Sequence, residues 1–93
     1  YIGRAAVRAV FNLGRRSKVA GIYVNDGKIT RDSTIHVLRG GEEMFVGSIS
    51  TLKHFKDDVR EVATGFEGGV TVEGYNDFEE DDILEAYSEQ RVQ

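Results

Sequence analysis

The 93-residue chain contains no cysteine and no proline, and its single methionine is Met44. Without cysteine there is no disulfide framework, no thiolate nucleophile and no zinc–thiolate centre, so stability rests on the core, as suits a reducing, cytoplasmic compartment. Apolar runs are short: none approaches the roughly 20 residues of a membrane-spanning helix, and no membrane role is expected. Helical periodicity is scarce as well. The chain opens on Tyr1-Ile2-Gly3-Arg4, with neither an initiator methionine nor a signal-peptide pattern, and is expected to be a piece of a larger protein.

What is present fits one domain, residues 1–93, with hydrophobic content of 40% and charged content of 30%. The formal net charge is −4, but its distribution is uneven. Arg4, Arg8, Arg15, Arg16, Lys18, Lys28 and Arg31 face the single acid Asp26 in the first third, whereas the remainder is acid-rich and ends in DFEEDDILEAYSEQ. Such a balance excludes a general phosphate-coating surface, so any nucleic-acid contact should be local.

Eleven glycines punctuate short runs of Val, Ile, Tyr, Phe and Thr, the pattern of strands separated by turns. Alternation in RAAVRAVF puts Ala5, Val7, Ala9 and Phe11 on one face of a strand. SKVAGIYV reads as a second strand, closed by a hairpin turn at Asn25-Asp26-Gly27-Lys28. STIHVLRGG and EEMFVGSISTL form a pair joined through Gly40-Gly41, and EGGVTVEG and DILEAYSEQRV add two more around the turn YNDFEED. Six or more short antiparallel strands in so small a chain imply an all-β, closed antiparallel barrel, because closure removes unprotected edges. The expected core is Val7, Phe11, Val19, Ile35, Val37, Phe45, Ile49, Val70, Val72 and Ile83.

Catalytic and metal chemistry find little footing. GFEGG lacks the Lys-Ser/Thr of a phosphate-binding loop and precedes a strand, so Gly68 and Gly69 are read as marking a bulge or a close backbone approach. His36 and His54 stand alone without partners at metal spacing, and His36 reads as a partly covered strand residue. No serine sits in a nucleophile elbow. The acids Glu79, Glu80, Asp81 and Asp82 lack calcium-loop spacing and read as a solvated turn. No enzyme activity, metal or cofactor is expected of this domain.

The segment LKHFKDD, Leu52 to Asp58, allows two readings. In one, Leu52 and Phe55 plug the barrel while Lys53, His54 and Lys56 are merely exposed. In the other, cations beside an aromatic plane receive the end of a single-stranded RNA. Composition does not choose between them.

The words VRAVF, SKVAGIYVNDGKI, VLRGGEEMFVGSISTLKHFKDDVREV and GFEGGVTVEGYNDFEEDDILEAY together resemble the C-terminal domain of bacterial translation initiation factor two, across essentially all 93 residues. The resemblance implies a β-barrel like domain two of elongation factor Tu, excised from the C-terminus of a larger translational GTPase whose GTP is held by a separate domain. It also implies a monomeric module that binds the formylmethionyl acceptor end of initiator tRNA and reaches the ribosome through its parent protein. Carried over by position, the binding residues are Lys53, His54 and Phe55, then Glu67, Gly68 and Gly69, and Ile22 after the VAG triplet. This chain departs from the family where cysteines are replaced by Ile22 and Gly68 and an arginine by His54, which alters the polarity and width of the pocket. Two other functions compete: a barrel adjoining the G domain of a translational GTPase that contacts ribosomal RNA, and a protein-interaction barrel using the acidic C-terminal half.

The chemistry of the first reading is consistent. Formylation turns an ammonium into a neutral amide, so a small apolar cleft can accept the blocked amino acid and reject the free one, whose charge would lose its hydration. Ile22 and Phe55 would wall the methionine, backbone N–H groups at Gly68 and Gly69 would meet the acyl carbonyl, and Lys53 and His54 would lie near the terminal phosphates.

Overall fold

The computed structural model of the protein describes residues 1–12, 18–75 and 77–88, with Asn12 through its backbone only. Arg15, Arg16 and the C-terminal part of the last expected strand lie outside those residues. No helix occurs among them. The strands are β1 (Gly3–Asn12), β2 (Lys18–Thr30), β3 (Thr34–Arg39), β4 (Glu42–His54), β5 (Asp57–Asp58), β6 (Glu61–Ala63), β7 (Glu67–Val72) and β8 (Ile83–Tyr87).

Following the pairings gives β1-β8-β3-β4-β7-β2 and back to β1, an antiparallel barrel of six strands closed by the β1–β2 ladder. The two short strands lie off this circuit, β5 paired with the end of β4 and β6 with the end of β2. The expected all-β barrel is therefore what forms. Inward-facing residues alternate along the strands, and Val7, Ile22, Val24, Ile35, Val37, Leu52, Val70 and Leu84 are each at most 1% exposed. Burying one such side chain contributes roughly 1.5–3 kcal/mol, so this interior supplies the main driving force.

Several expectations fail, each for a local reason. Val19 and Ile83, expected in the core, are only partly buried, because their neighbours Ala20 and Leu84 take the inward positions of β2 and β8. Phe11 is 57% exposed, because a bulge at Arg8 interrupts the register between Val7↔Ile22 and Ala9↔Gly21. Beyond that extra residue the faces exchange, so Val10 packs on the core and Ala9 and Phe11 turn outward. The Asn25-Asp26-Gly27-Lys28 segment is no hairpin turn: β2 runs through it with a bulge at Asn25, and Gly27, at φ +60°, lets Ile2 approach the backbone. Nor are all four acids of the last turn solvated, since Asp82 is only 1% exposed.

Asp82 is sealed because a cation reaches it. Arg39 grips both of its carboxylate oxygens at 2.9 Å, and the backbone N–H of Glu79 donates to Oδ2 at 2.9 Å. The same guanidinium donates to the Asp77 carbonyl at 2.7 Å and meets the Glu79 carboxylate at 3.2 Å. Its hydrogen bonds to the Asp82 carboxylate are the chief reason that the Arg39 pKa is raised above its ordinary value. Next to this anchor Phe78, 3% exposed, sits edge-on to Tyr75, which stacks on Phe45 with ring centroids 5.0 Å apart. This end of the barrel is thus closed by an ion pair and an aromatic stack.

Replacing Arg39 by methionine keeps the apolar stem but leaves the sealed Asp82 carboxylate without its cation, a loss of about 3 kcal/mol for a buried ion. Urea unfolding should show a lowered midpoint with an unchanged slope. An unchanged midpoint would mean that the pair does not hold the loop.

Candidate functional site

The site begins with a sheet position where two side chains are missing. Gly21 on β2 and Gly69 on β7 are directly opposed in the antiparallel ladder, and the residues beside them, Ala20 and Val70, face the core and are wholly buried. By alternation both glycines face outward, so the outer surface there is bare backbone. A Cβ on Gly69 would meet Val19 Cγ1 at 3.1 Å, and one on Gly21 would meet the Phe11 ring at 3.1 Å. The depression is therefore walled by Val19 and Phe11. The same bulge that turned Phe11 outward makes it one wall of the groove.

The other wall comes from the end of β4. Lys53 and His54 pair with Asp58 and Asp57, so LKHFKDD is a tight hairpin whose turn is Phe55-Lys56. Phe55 adopts φ +58°, an uncommon and unfavourable conformation for a bulky residue, and is 84% exposed. It does not plug the barrel; Leu52, fully buried, fills that end alone. The resulting cavity, about 570 Å³, is lined by Arg8, Ala9, Phe11, Val19, Gly21, Ile22, Thr51, Lys53, Phe55, Glu67, Gly68 and Gly69.

Six of the seven residues expected from the sequence thus meet in one groove, though not all in the expected way. Ile22 is 1% exposed and its side chain belongs to the core, so the outward residue on that strand is its neighbour Gly21. Gly68 and Gly69 mark no bulge: their pairing with Ile22 and Gly21 is in continuous register. Close approach is the correct half of that reading, because a Cβ on Gly68 would lie 2.9 Å from the Lys53 carbonyl oxygen. His54 lies off this groove. Its Nδ1 is 2.8 Å from the Glu67 carbonyl, which can only accept, so Nδ1 carries the proton. The imidazole stands between Phe55 and Phe66, with centroid distances of 4.4 and 6.0 Å.

Sequence reasoning missed Arg8, Ala9, Phe11, Val19, Gly21 and Thr51 as lining residues. The VAG triplet before Ile22 held the clue for Gly21, but only the inward placement of Ala20 says which residue faces out. Two cations border the groove: the Arg8 guanidinium, 5.0 Å above the Tyr23 ring, and Lys53, which has no carboxylate within ion-pair distance among the described residues. Elsewhere two of the early basic residues are already engaged. Arg4 pairs with Glu85 at 2.9 Å and Lys28 with Glu61 at 3.7 Å. His36 binds Glu43 at 2.6 Å and packs on Tyr87, in keeping with a structural role. No group of three or more metal-ligating side chains occurs among the described residues.

The protein is thus a small closed β-barrel that bears an aromatic-walled, glycine-floored groove on its outer face. Its relatives lie in translation. Over 92 residues, 99% of the chain, it is 50% identical to translation initiation factor IF-2 of Listeria monocytogenes and of Listeria welshimeri. Over 91 residues, 98% of the chain, it is 52% identical to the same factor of Bacillus cereus. The chain spans about 12% of the length of the Listeria relatives and 13% of the Bacillus one. No family model matches it. The chain is thus a homologue of one segment of bacterial translation initiation factor IF-2, and it is folded as a β-barrel.

The strained turn makes a measurable statement about purpose. Phe55→Asn, placing a residue that tolerates positive φ at this exposed position, should raise the unfolding free energy by about 1 kcal/mol while removing a groove wall. Denaturant titration of the variant checks it; a loss of stability would show that Phe55 is held for packing instead.

Proposed function

We propose that this domain is a cytoplasmic, monomeric binding module for the formylmethionyl acceptor end of initiator tRNA, acting on the ribosome as part of a longer initiation factor. It requires no cofactor of its own, GTP being the business of a separate domain. The observation that carries this reading is the groove over Gly21 and Gly69, where exposed backbone lies between the Phe11 and Phe55 rings. Such a surface suits an apolar side chain joined to neutral carbonyl groups. A free ammonium would enter it at the cost of its hydration, and the adjoining Arg8 and Lys53 would repel it. Glu67 at the rim is the one lining carboxylate, and its backbone carbonyl is already occupied by His54.

The cations are few and local. Lys53 and Arg8 can reach one or two phosphates beside the groove, and the net charge of −4 supplies no wider phosphate track. This favours a chain-end contact over the broad footprint of a barrel docked on ribosomal RNA. In the acidic half, Asp77, Glu79 and Asp82 are taken up by Arg39 and so are less free to meet a protein partner.

Titration with formylmethionyl-tRNA and with its unformylated twin tests the proposal: the formylated form should bind at least tenfold more tightly. Lys53→Ala should weaken binding by about 1 kcal/mol with the thermal midpoint unmoved, since an exposed lysine adds little to folding. Gly69→Ala should leave the fold intact, Val19 yielding a few tenths of an ångström, yet lower affinity by filling the groove floor. The slope of log affinity against log salt should be about −1 to −2. Equal affinity for the two tRNAs, or a slope of about −5, would overturn a site confined to the acyl end.

A further inference from the structure

Behind the His54–Phe55 wall lies a second, smaller cavity of about 250 Å³, lined by His54, Val59, Glu61, Val62, Ala63 and Phe66. It has no part in the groove just described, sharing none of its lining residues. Its most conspicuous member is Phe66, 56% exposed. An exposed phenyl ring on a loose loop would carry little information, but the backbone that carries this one is hydrogen-bonded on both sides. The Phe66 N–H donates to the Ala63 carbonyl at 3.1 Å, and its own carbonyl accepts from Val24 N–H at 3.1 Å. The preceding residues are fixed too, Gly65 N–H on Val24 O at 2.9 Å and Thr64 Oγ1 on Gly27 O at 2.6 Å. The His54 ring is held by the Glu67 carbonyl, so an anchored imidazole and a phenyl ring on a bonded turn border one apolar hollow, their centroids 6.0 Å apart.

Fixed aromatic rings around an apolar hollow accept flat heteroaromatic groups. The one charged residue on the lining is Glu61, half-exposed and only 3.7 Å from Lys28. A carboxylate at the rim repels phosphate, and it accepts hydrogen bonds from an amino-bearing base edge. The cavity is also adjacent to the groove: His54 borders one and Phe55 the other, and their ring centroids are 4.4 Å apart. A nucleotide whose acyl group lies over Gly21 and Gly69 therefore has its base within reach of this hollow.

The geometry points to a base subsite: the cavity of His54, Glu61 and Phe66 receives the amino-bearing purine of the nucleotide that carries the acyl group, stacked on Phe66 with its amino group toward Glu61. This rests on the acyl-end reading above, and it divides the work between two cavities. The groove recognises the acyl group and the hollow recognises the base, with the His54–Phe55 pair as partition.

Amide spectra of the domain with four small probes separate the two claims. Formylmethionine methyl ester should move the Gly21 and Gly69 signals and leave Ala63 and Phe66 in place. Adenosine alone should do the reverse. The 3′-formylmethionyl ester of adenosine should move all four and bind about tenfold more tightly than the methyl ester, the gain expected of one base–aromatic stack. Purine riboside, which lacks the amino group, should bind more weakly than adenosine, and Glu61→Gln should narrow that difference. Phe66→Ala should abolish the gain of the adenosyl over the methyl ester without changing affinity for the methyl ester, and Phe66→Tyr should restore it. Equal affinity of the two esters, or adenosine that leaves Ala63 and Phe66 unmoved, would overturn the base subsite. A methyl ester that leaves Gly21 and Gly69 unmoved would overturn the acyl reading instead, while a response of Ala63 and Phe66 to adenosine would still stand for the base.

Discussion

Closure of β1 on β2 is the constraint from which the rest of the molecule follows. A six-stranded barrel exists only if its first and last strands meet, and here they meet across a backbone contact that no Cβ could enter. A Cβ on Gly3 would collide with the Lys28 backbone and one on Gly27 with the Ile2 carbonyl. With both absent, Lys28 N–H reaches Ile2 O at 3.1 Å and the ladder continues to Asn12. Closure thus pairs the edges that β1 and β2 would otherwise expose, apart from the bulges.

The ladder also sets which residues can serve as a binding surface. Its bulge at Arg8 reverses the faces of β1, placing Val10 against the core and Phe11 outside, and a second bulge, at Ser50, adjusts β4 so that Leu52 faces inward and Thr51 and Lys53 outward. The outer face over the opposed glycines is consequently bordered by residues from β1, β2, β4 and β7. A bulge costs a ladder bond and redirects side chains; here the redirection assembles the groove.

The two ends of the barrel differ in kind. At one, Arg39 and Asp82 tie the loop after β7 to β3, with Tyr75, Phe78 and Phe45 packed beside them, and the polar atoms find partners. At the other, Phe55 and Phe66 stay exposed on tightly bonded turns. Folding gains little from rings left in water, and Phe55 carries an unfavourable backbone angle besides. Such features persist only because the surrounding fold outweighs their cost.

Much of this was legible in the chain. Eleven glycines between β-branched runs and period-two alternation were enough for an all-β barrel, because they report directly on backbone preference and burial. The resemblance in LKHFKDD and GFEGG marked five of the twelve residues that line the groove outright. Side-chain direction was decided elsewhere. Ile22 faces the core and Gly21 the groove, Phe11 lies outside, and Asp82 is sealed, each through a bulge or a partner from a strand distant in sequence. A single inserted residue exchanges the two faces of a strand, and an ion pair can bury a carboxylate that local composition leaves in solvent. Alternation along one segment contains neither fact; only the pairing of strands supplies them.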